Sequence, residues 1–439
     1  MKNILVFALR MITLRLAVIL LSLTQTTLWA AELGVAGFGL VSAFISAQVL
    51  LGLGARFGAD NVLVRHFRTD PNFPKRFHTF VRAAILASVV VALIGFTILA
   101  KPVFGKLTSY GAVAFVMLLL SFNIMQILIQ VVVAQRRQVL VTLVGGVLPL
   151  LVSLGFFSLP LDNYLSVPRH IQAVAFLALG YFLAAAVLAV LLRDFWAECR
   201  AQHRAAPGRM RLLLGSEQWH FLAYQSIGLA RVHGTTLAVL ALFGAETAGF
   251  FALALRFGNL LSYLNEPARM YVLPRVAGSS RGNIWRLYRS MLGLNAGLFV
   301  IGVLSLAGLY FFVQLPFSTD PPFLLYTVII MAGAAVNLCV GPVGAILAQS
   351  GNEKRNLTAN ILGFGIASFC LLLAWALNEP VAAVLGVSLS TATINLSNTL
   401  SLMQVMRDPI AGPGPWQLGR RRGYRAIQDK ARFVGSKKS

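Results

Sequence analysis

AGFFALALR, residues 248–256, echoes an earlier stretch, AGFGLVSAF, residues 36–44. Each opens an apolar run, and each follows another apolar run after a short break. A second, weaker echo pairs AQRRQVLVTLVGG (134–146) with AQSGNEKRNLTANILGF (348–364), whose turn is longer. Together the echoes divide the chain into two copies of one plan. Working outward from them, apolar runs of roughly 20 residues recur from end to end, and that length spans a bilayer core of about 30 Å.

The composition agrees. The chain has 439 residues, 58% hydrophobic and 12% charged, where a soluble chain carries about 25% charged residues. Its mean hydropathy is +0.77. Twelve spans are predicted, near 11–31, 37–58, 80–100, 110–134, 139–160, 171–192, 218–243, 248–273, 287–312, 323–347, 357–377 and 380–404. The fold class is an all-α polytopic membrane protein with about twelve transmembrane helices in two six-helix bundles. Six is even, so both copies keep one orientation and are related by a pseudo-twofold axis along the membrane normal. The first bundle takes residues 1–192, a basic linker 193–215, the second bundle 216–406, and a basic tail 407–439.

The formal net charge of +23 is distributed, not clustered. Segments such as RHFRTDPNFPKRFHTFVR, QRRQ, RDFWAECRAQHRAAPGRMR and GNEKRN fall on one side of the predicted topology, with the N-terminus and the tail. The other side holds Lys101, Lys106 and Arg169. The positive-inside rule then puts both termini in the cytoplasm, in a plasma (inner) membrane. Charge placed this way argues for topology and against a nucleic-acid partner. The tail is expected to be disordered or to lie on inner-leaflet lipids. The loops on the other side are short and leave no room for a folded domain there. The N-terminus resembles a signal peptide, but Arg10 and Arg15 interrupt its apolar part and the topology needs the helix, so a retained first span is expected.

Three cysteines and six histidines form no CxxC, HExxH or comparable spacing, so no metal site or cofactor is expected. There is no DxD motif, nucleotide-binding loop, nucleophile elbow or catalytic carboxylate pair. An enzyme is therefore disfavoured.

Five arginines lie within predicted spans: Arg15, Arg56, Arg231, Arg256 and Arg269. Each costs about 2.5–3.5 kcal/mol at a helix centre. Arg231 and Arg256 lie deepest, on consecutive helices, with no acidic residue at mid-depth, and are expected to face a polar chamber and grip one anion. The alternative for them is pairing within the protein. The other three have a second reading, snorkelling to headgroups, and Arg56 has Asp60, and Arg269 has Glu266, as neighbouring partners. The first echo maps Arg56 onto Ala268, beside Arg269, and Arg15 onto Ile227, one turn before Arg231. Glu266 and Asp60 are candidate coupling sites, and Pro267 is expected to kink the eighth span.

The stretches ELGVAGFGLVSAF, GLGARFGADNVLVRHF and AQSGNEKRNLTANILG, with the six-plus-six plan, resemble the polysaccharide and O-antigen flippase branch of the multidrug/oligosaccharidyl-lipid/polysaccharide exporter superfamily. The resemblance covers all twelve spans. It implies two bundles around a cavity that opens alternately to either side, lined by spans 1, 2, 7 and 8, which hold all five arginines. It implies a cargo of undecaprenyl-diphosphate-linked oligosaccharide, a cell-surface polysaccharide precursor, flipped to the outer leaflet. The partners expected are that anionic lipid-linked glycan and membrane lipids, with glycan assembly enzymes as further candidates and the chain itself a monomer. The cation-coupled drug exporters of the superfamily carry an acid within span 1 or 7; here those spans have only Glu32 and Glu217, at their ends. An exporter of drugs or metabolites is the alternative function, and a membrane-embedded glycan-processing enzyme comes third.

Overall fold

The computed structural model describes residues 2–57, 73–104, 109–135, 137–155, 167–205, 216–263, 280–312, 320–350 and 352–407, with positions 63, 67, 265 and 276. Among the described residues the regular elements are all helical. Eight helical stretches are long and apolar enough to cross a bilayer. Two of them, Leu16–Ala55 and Leu222–Ser262, have 40 and 41 residues, enough for two crossings each at about 20 residues per crossing.

Both double-length stretches reverse at one glycine. Helix Lys2–Ala55 is non-helical only at Gly34 (φ 68°, ψ 167°), which separates α1 (2–33) from α2 (35–55). Gly244 (φ 87°, ψ 177°) likewise separates α7 (216–243) from α8 (245–263). Positive φ beyond the left-handed helical well is open to glycine and strained for any residue with a Cβ. Neighbouring helices confirm the reversal. Gln25 of α1 meets Ser153, whereas on α2 Phe44 meets Phe115 and Arg56 meets Asn123.

The other helices are α3 (Phe73–Phe104), α4 (Ser109–Ala134), α5 (138–154), α6 (Arg169–Leu191), α9 (Arg281–Phe312), α10 (321–349), α11 (Glu353–Leu377) and α12 (Pro380–Arg407). A linker helix, Arg193–Ala205, follows α6. Helix α10 is interrupted at Gly341 (φ 80°) and Pro342, where the chain lacks a backbone N–H. Helices α3, α9 and α11 begin several residues before their predicted spans. Their first two turns carry Arg76, Arg286 or Lys354, so a polar helix end continues out of the apolar layer. Helix α8 turns irregular at Asn259, before the predicted kink. Pro267 itself lies outside the described residues, as do Asp60, Glu266, Arg269 and the tail from 408.

Side chains pointing outward are apolar, as a lipid surroundings requires. Leu86, Val190, Leu372 and Trp375 are each more than three-fifths exposed. The inward packing differs between the two ends. Toward the face that carries Gly34 and Gly244, here the far face, residues of both bundles share one core. Phe38, Val41 and Phe44 of α2 pack in the same cluster as Phe115 of α4, Leu253 and Phe257 of α8 and Phe323 of α10. Toward the opposite, basic face each bundle has a core of its own. One is built on Phe73, Phe77, Phe80, Met125 and Leu188, the other on Ile284, Tyr288, Ile346 and Leu402.

The bundles meet most closely where α2 crosses α8. A methyl group on Gly39 would overlap the carbonyl oxygen of Ala245, and one on Gly249 would overlap that of Val35. These contacts are reciprocal. Val35 corresponds to Ala245 and Gly39 to Gly249, so the pseudo-twofold axis passes between the two helices here.

Candidate functional site

The crossing fixes the register of the repeat. It pairs Gly34 with Gly244 and Gly39 with Gly249, two positions short of the register given by the AGF motifs, because four residues separate Gly244 from Ala248 but two separate Gly34 from Ala36. In the register of contact, Arg56 falls on Glu266 and Arg15 on Gln225. In this register no arginine falls on another, and the side chains of Arg15 and Arg269 lie outside the described set.

Helix α7 carries the first of them on a π-helical turn, Ala230–Gly234. Such turns insert a residue into the helical ladder, shift the faces of the residues around them and recur at functional sites. Here Arg231 and His233 point to different bundles. Nη1 of Arg231 donates to the carbonyl oxygen of Val387 (3.2 Å), to Oγ of Ser390 (3.0 Å) and to Oγ1 of Thr391, all on α12. Its Nε is buried without a partner among the described residues. His233 reaches α2 of the other bundle, with Nδ1 3.2 Å from Oγ of Ser46.

Arg256 stands on α8, twelve residues past Gly244, and Arg231 thirteen before it. At about 1.5 Å per residue both lie about 18–20 Å from the turn, at one depth. Arg231 is held against α12. Arg256, half-buried, makes no hydrogen bond or ion pair with the described residues, and acts electrostatically on His233 and on Tyr181 of α6. Tyr181 packs at a tilt against Phe122 of α4, with 5.2 Å between ring centres. Arg56 also reaches the Phe122 ring, its guanidinium 5.4 Å from the ring centre, an arrangement in which charge and ring quadrupole attract.

Arg56 itself is buried. It donates to Oδ1 of Asn123, and the Asn123 amide donates in turn to Oγ of Ser88 (2.9 Å). A side chain at position 52 would strike this group, since a Cβ there would lie 2.6 Å from Oδ1 of Asn123. Arg15 lies on α1, and its side chain is outside the described set.

No described carboxylate approaches Arg256. Glu32, Glu246, Asp320 and Glu379 sit at far-face helix ends, and Glu32 is paired there with Arg169. Asp194, Glu198 and Glu353 sit at the other end. From 222 to 234 every residue of α7 is half-buried. Among the described residues no group of three metal-ligating side chains occurs.

The sequence pointed to the arginines but not to Ser46, Tyr181, Ser390 or Thr391. Small hydroxyls and a lone tyrosine are ordinary in membrane helices, and only the fold shows which ones face an arginine.

No protein-family model and no curated protein matches the chain. Solved structures do. A mutant of the Vibrio cholerae MATE transporter VcmN is 14% identical, with a TM-score of 0.60 over 92% of this chain and 97% of its own. The inward-facing conformation of a multidrug resistance MATE family transporter of the MOP superfamily is 12% identical, with a TM-score of 0.57 over 90% and 98%. The eukaryotic MATE transporter AtDTX14 is 14% identical, with a TM-score of 0.55 over 90% and 92%. These neighbours are transporters, not enzymes. The chain is a multi-pass membrane protein with the MATE transporter fold, twelve helices in two bundles.

Proposed function

We propose that this protein flips a lipid-diphosphate-linked oligosaccharide, a cell-surface polysaccharide precursor, across the inner membrane by alternating access. The single observation that carries the reading is Arg256. It is a guanidinium midway along its helix, without a hydrogen-bonding partner or nearby carboxylate among the described residues, between two bundles. A diphosphate is the natural counterpart of such a group, since arginine offers planar, charge-assisted donors to phosphate oxygens. The lipid tail stays in the bilayer while the headgroup passes between the bundles. Arg231 and Arg56 hold the walls of the passage, on α12 and α4. The basic face is the cytoplasmic one, as the distribution of lysine and arginine requires, and the far face is closed.

The test is Arg256→Ala in the native host. Surface glycan should be lost while the protein stays in the membrane at normal level, and Arg256→Lys should restore part of it. Full surface glycan in the alanine strain would refute the reading. The second reading, export of a drug or metabolite, draws on the multidrug resistance neighbour. It expects Arg256→Ala to alter resistance to that compound with surface glycan intact.

A further inference from the structure

The linker between the bundles is docked, and its docking builds a second basic site. Phe195 and Trp196 of the linker helix pack on the basic end of α3. Phe195 meets Phe77 at 5.4 Å and Phe73 at 6.3 Å between ring centres, and Trp196 meets Phe77 at 5.5 Å. Cys199, on the next turn, is fully buried in the same cluster. These contacts fix the rotation of the linker helix, and so fix where His203 points.

His203 lies against His78 of α3, with ring centres 4.4 Å apart and planes inclined by 34°. Oγ1 of Thr79 is 3.5 Å from its Nδ1. Arg82 stands one turn along α3 from His78, and Arg200 one turn before His203 on the linker helix. Both act electrostatically on His78. Four basic or titratable side chains from two facing helices thus gather at one place. Neither described carboxylate of the linker helix serves it: Glu198 accepts from Gln202 at 3.0 Å, and Asp194 lies 3.6 Å from Arg193. His78 is 9% exposed, and its Nδ1 has no hydrogen-bond partner among the described residues. Two arginines and two imidazoles thus meet with no described carboxylate bonded to them, around a buried ring nitrogen without a described partner.

We propose that His78, Arg82, Arg200 and His203 form a binding site for a phosphate group. Two guanidinium groups supply charged donors, and the imidazoles supply ring N–H donors. The apolar stretch of α3 begins at Arg76, so the site sits at the level where headgroup phosphates lie. A phosphate held there would tie the linker to the first bundle. The cluster lies apart from Arg256 and stands whatever the cargo.

The test uses the full chain, purified in micelles with equal mole fractions of phosphatidic acid and phosphatidylcholine, and native mass spectrometry to count retained lipid. At about 1 kcal/mol per basic residue near a lipid surface, the protein should retain phosphatidic acid over phosphatidylcholine by roughly tenfold or more. The double variant R82Q/R200Q should lose most of that preference with an unchanged melting temperature, because both side chains are exposed. Substituting Arg420, Arg421 and Arg422 by Gln should leave it intact. If inorganic phosphate added to the micelles displaces the lipid, the site reads the phosphate alone; if it does not, the site reads the lipid headgroup. Both results uphold the site. Equal preference in the parent and R82Q/R200Q, or an equal loss on changing the tail, overturns it.

Discussion

At the far face the two bundles touch backbone to backbone, and at the basic face each keeps a core of its own. The difference is one of residue size. Gly39 and Gly249 let α2 and α8 approach until no side chain fits between them, and Phe38, Phe44 and Phe257 seal the space around the crossing. At the other end Phe77 and Tyr288 face inward to separate clusters. The far end is closed by shape, and at the basic end the described cores are separate.

The largest expected effect comes from breaking the closed end. Gly249→Val drives a branched side chain into the carbonyl of Val35, so the far end cannot close. Transport should be abolished with the protein still inserted. A cysteine replacing Phe38, 2% exposed in this structure, should react with a membrane-impermeant maleimide only when Gly249→Val is also present. If it stays protected, the crossing is not the seal.

Next come the two arginines that share a depth. Arg231→Met removes three hydrogen bonds to α12. At about 1.5–3 kcal/mol for a bond to a charged group, it should lower Tm by several degrees. Arg256→Ala breaks no hydrogen bond among the described residues, so it should leave the stability within about 1 kcal/mol of the parent while transport is lost. The reverse pattern in thermal melts would exchange their roles. A smaller effect is expected at the contact between bundles. Ser46→Ala removes the partner of His233, worth about 0.5–1.5 kcal/mol, and should increase the labelling of a far-face cysteine without stopping transport.

The smallest effect probes the basic end. Burial pushes the Cys199 thiol up from 9.0 to about 12, with the nearby Glu198 adding to the rise. Cys199 should therefore resist maleimide at pH 8. Between pH 9 and 12 the released thiol ionises and the docked one does not, so docking of the linker helix weakens as pH rises through that window. Hydrogen exchange in the linker helix should then increase, and Cys199→Ala should remove the dependence.

Much of this architecture was legible in the sequence because the bilayer imposes it. Span length, loop charge and the repeated AGF motif all report constraints that act residue by residue. The register of the two copies was not legible. It is set by which backbones touch, and the unequal spacing from glycine turn to AGF motif concealed it. Nor did the sequence show where Arg231 points. A regular helix would place it by its periodicity, but the π-helical turn changes the face on which it emerges and gives it to α12. Arg256 was legible as a guanidinium at mid-depth; that its electrostatic neighbours are His233 and Tyr181, from both bundles, required the fold.

The single-residue reversals at Gly34 and Gly244 carry one more consequence. Those two hairpins present almost no chain to the compartment they face. A protease or antibody working from that side finds no loop to cut or hold at either hairpin, whereas the linker helix presents its exposed Arg193, Asp194, Glu198 and Arg200 at the opposite face.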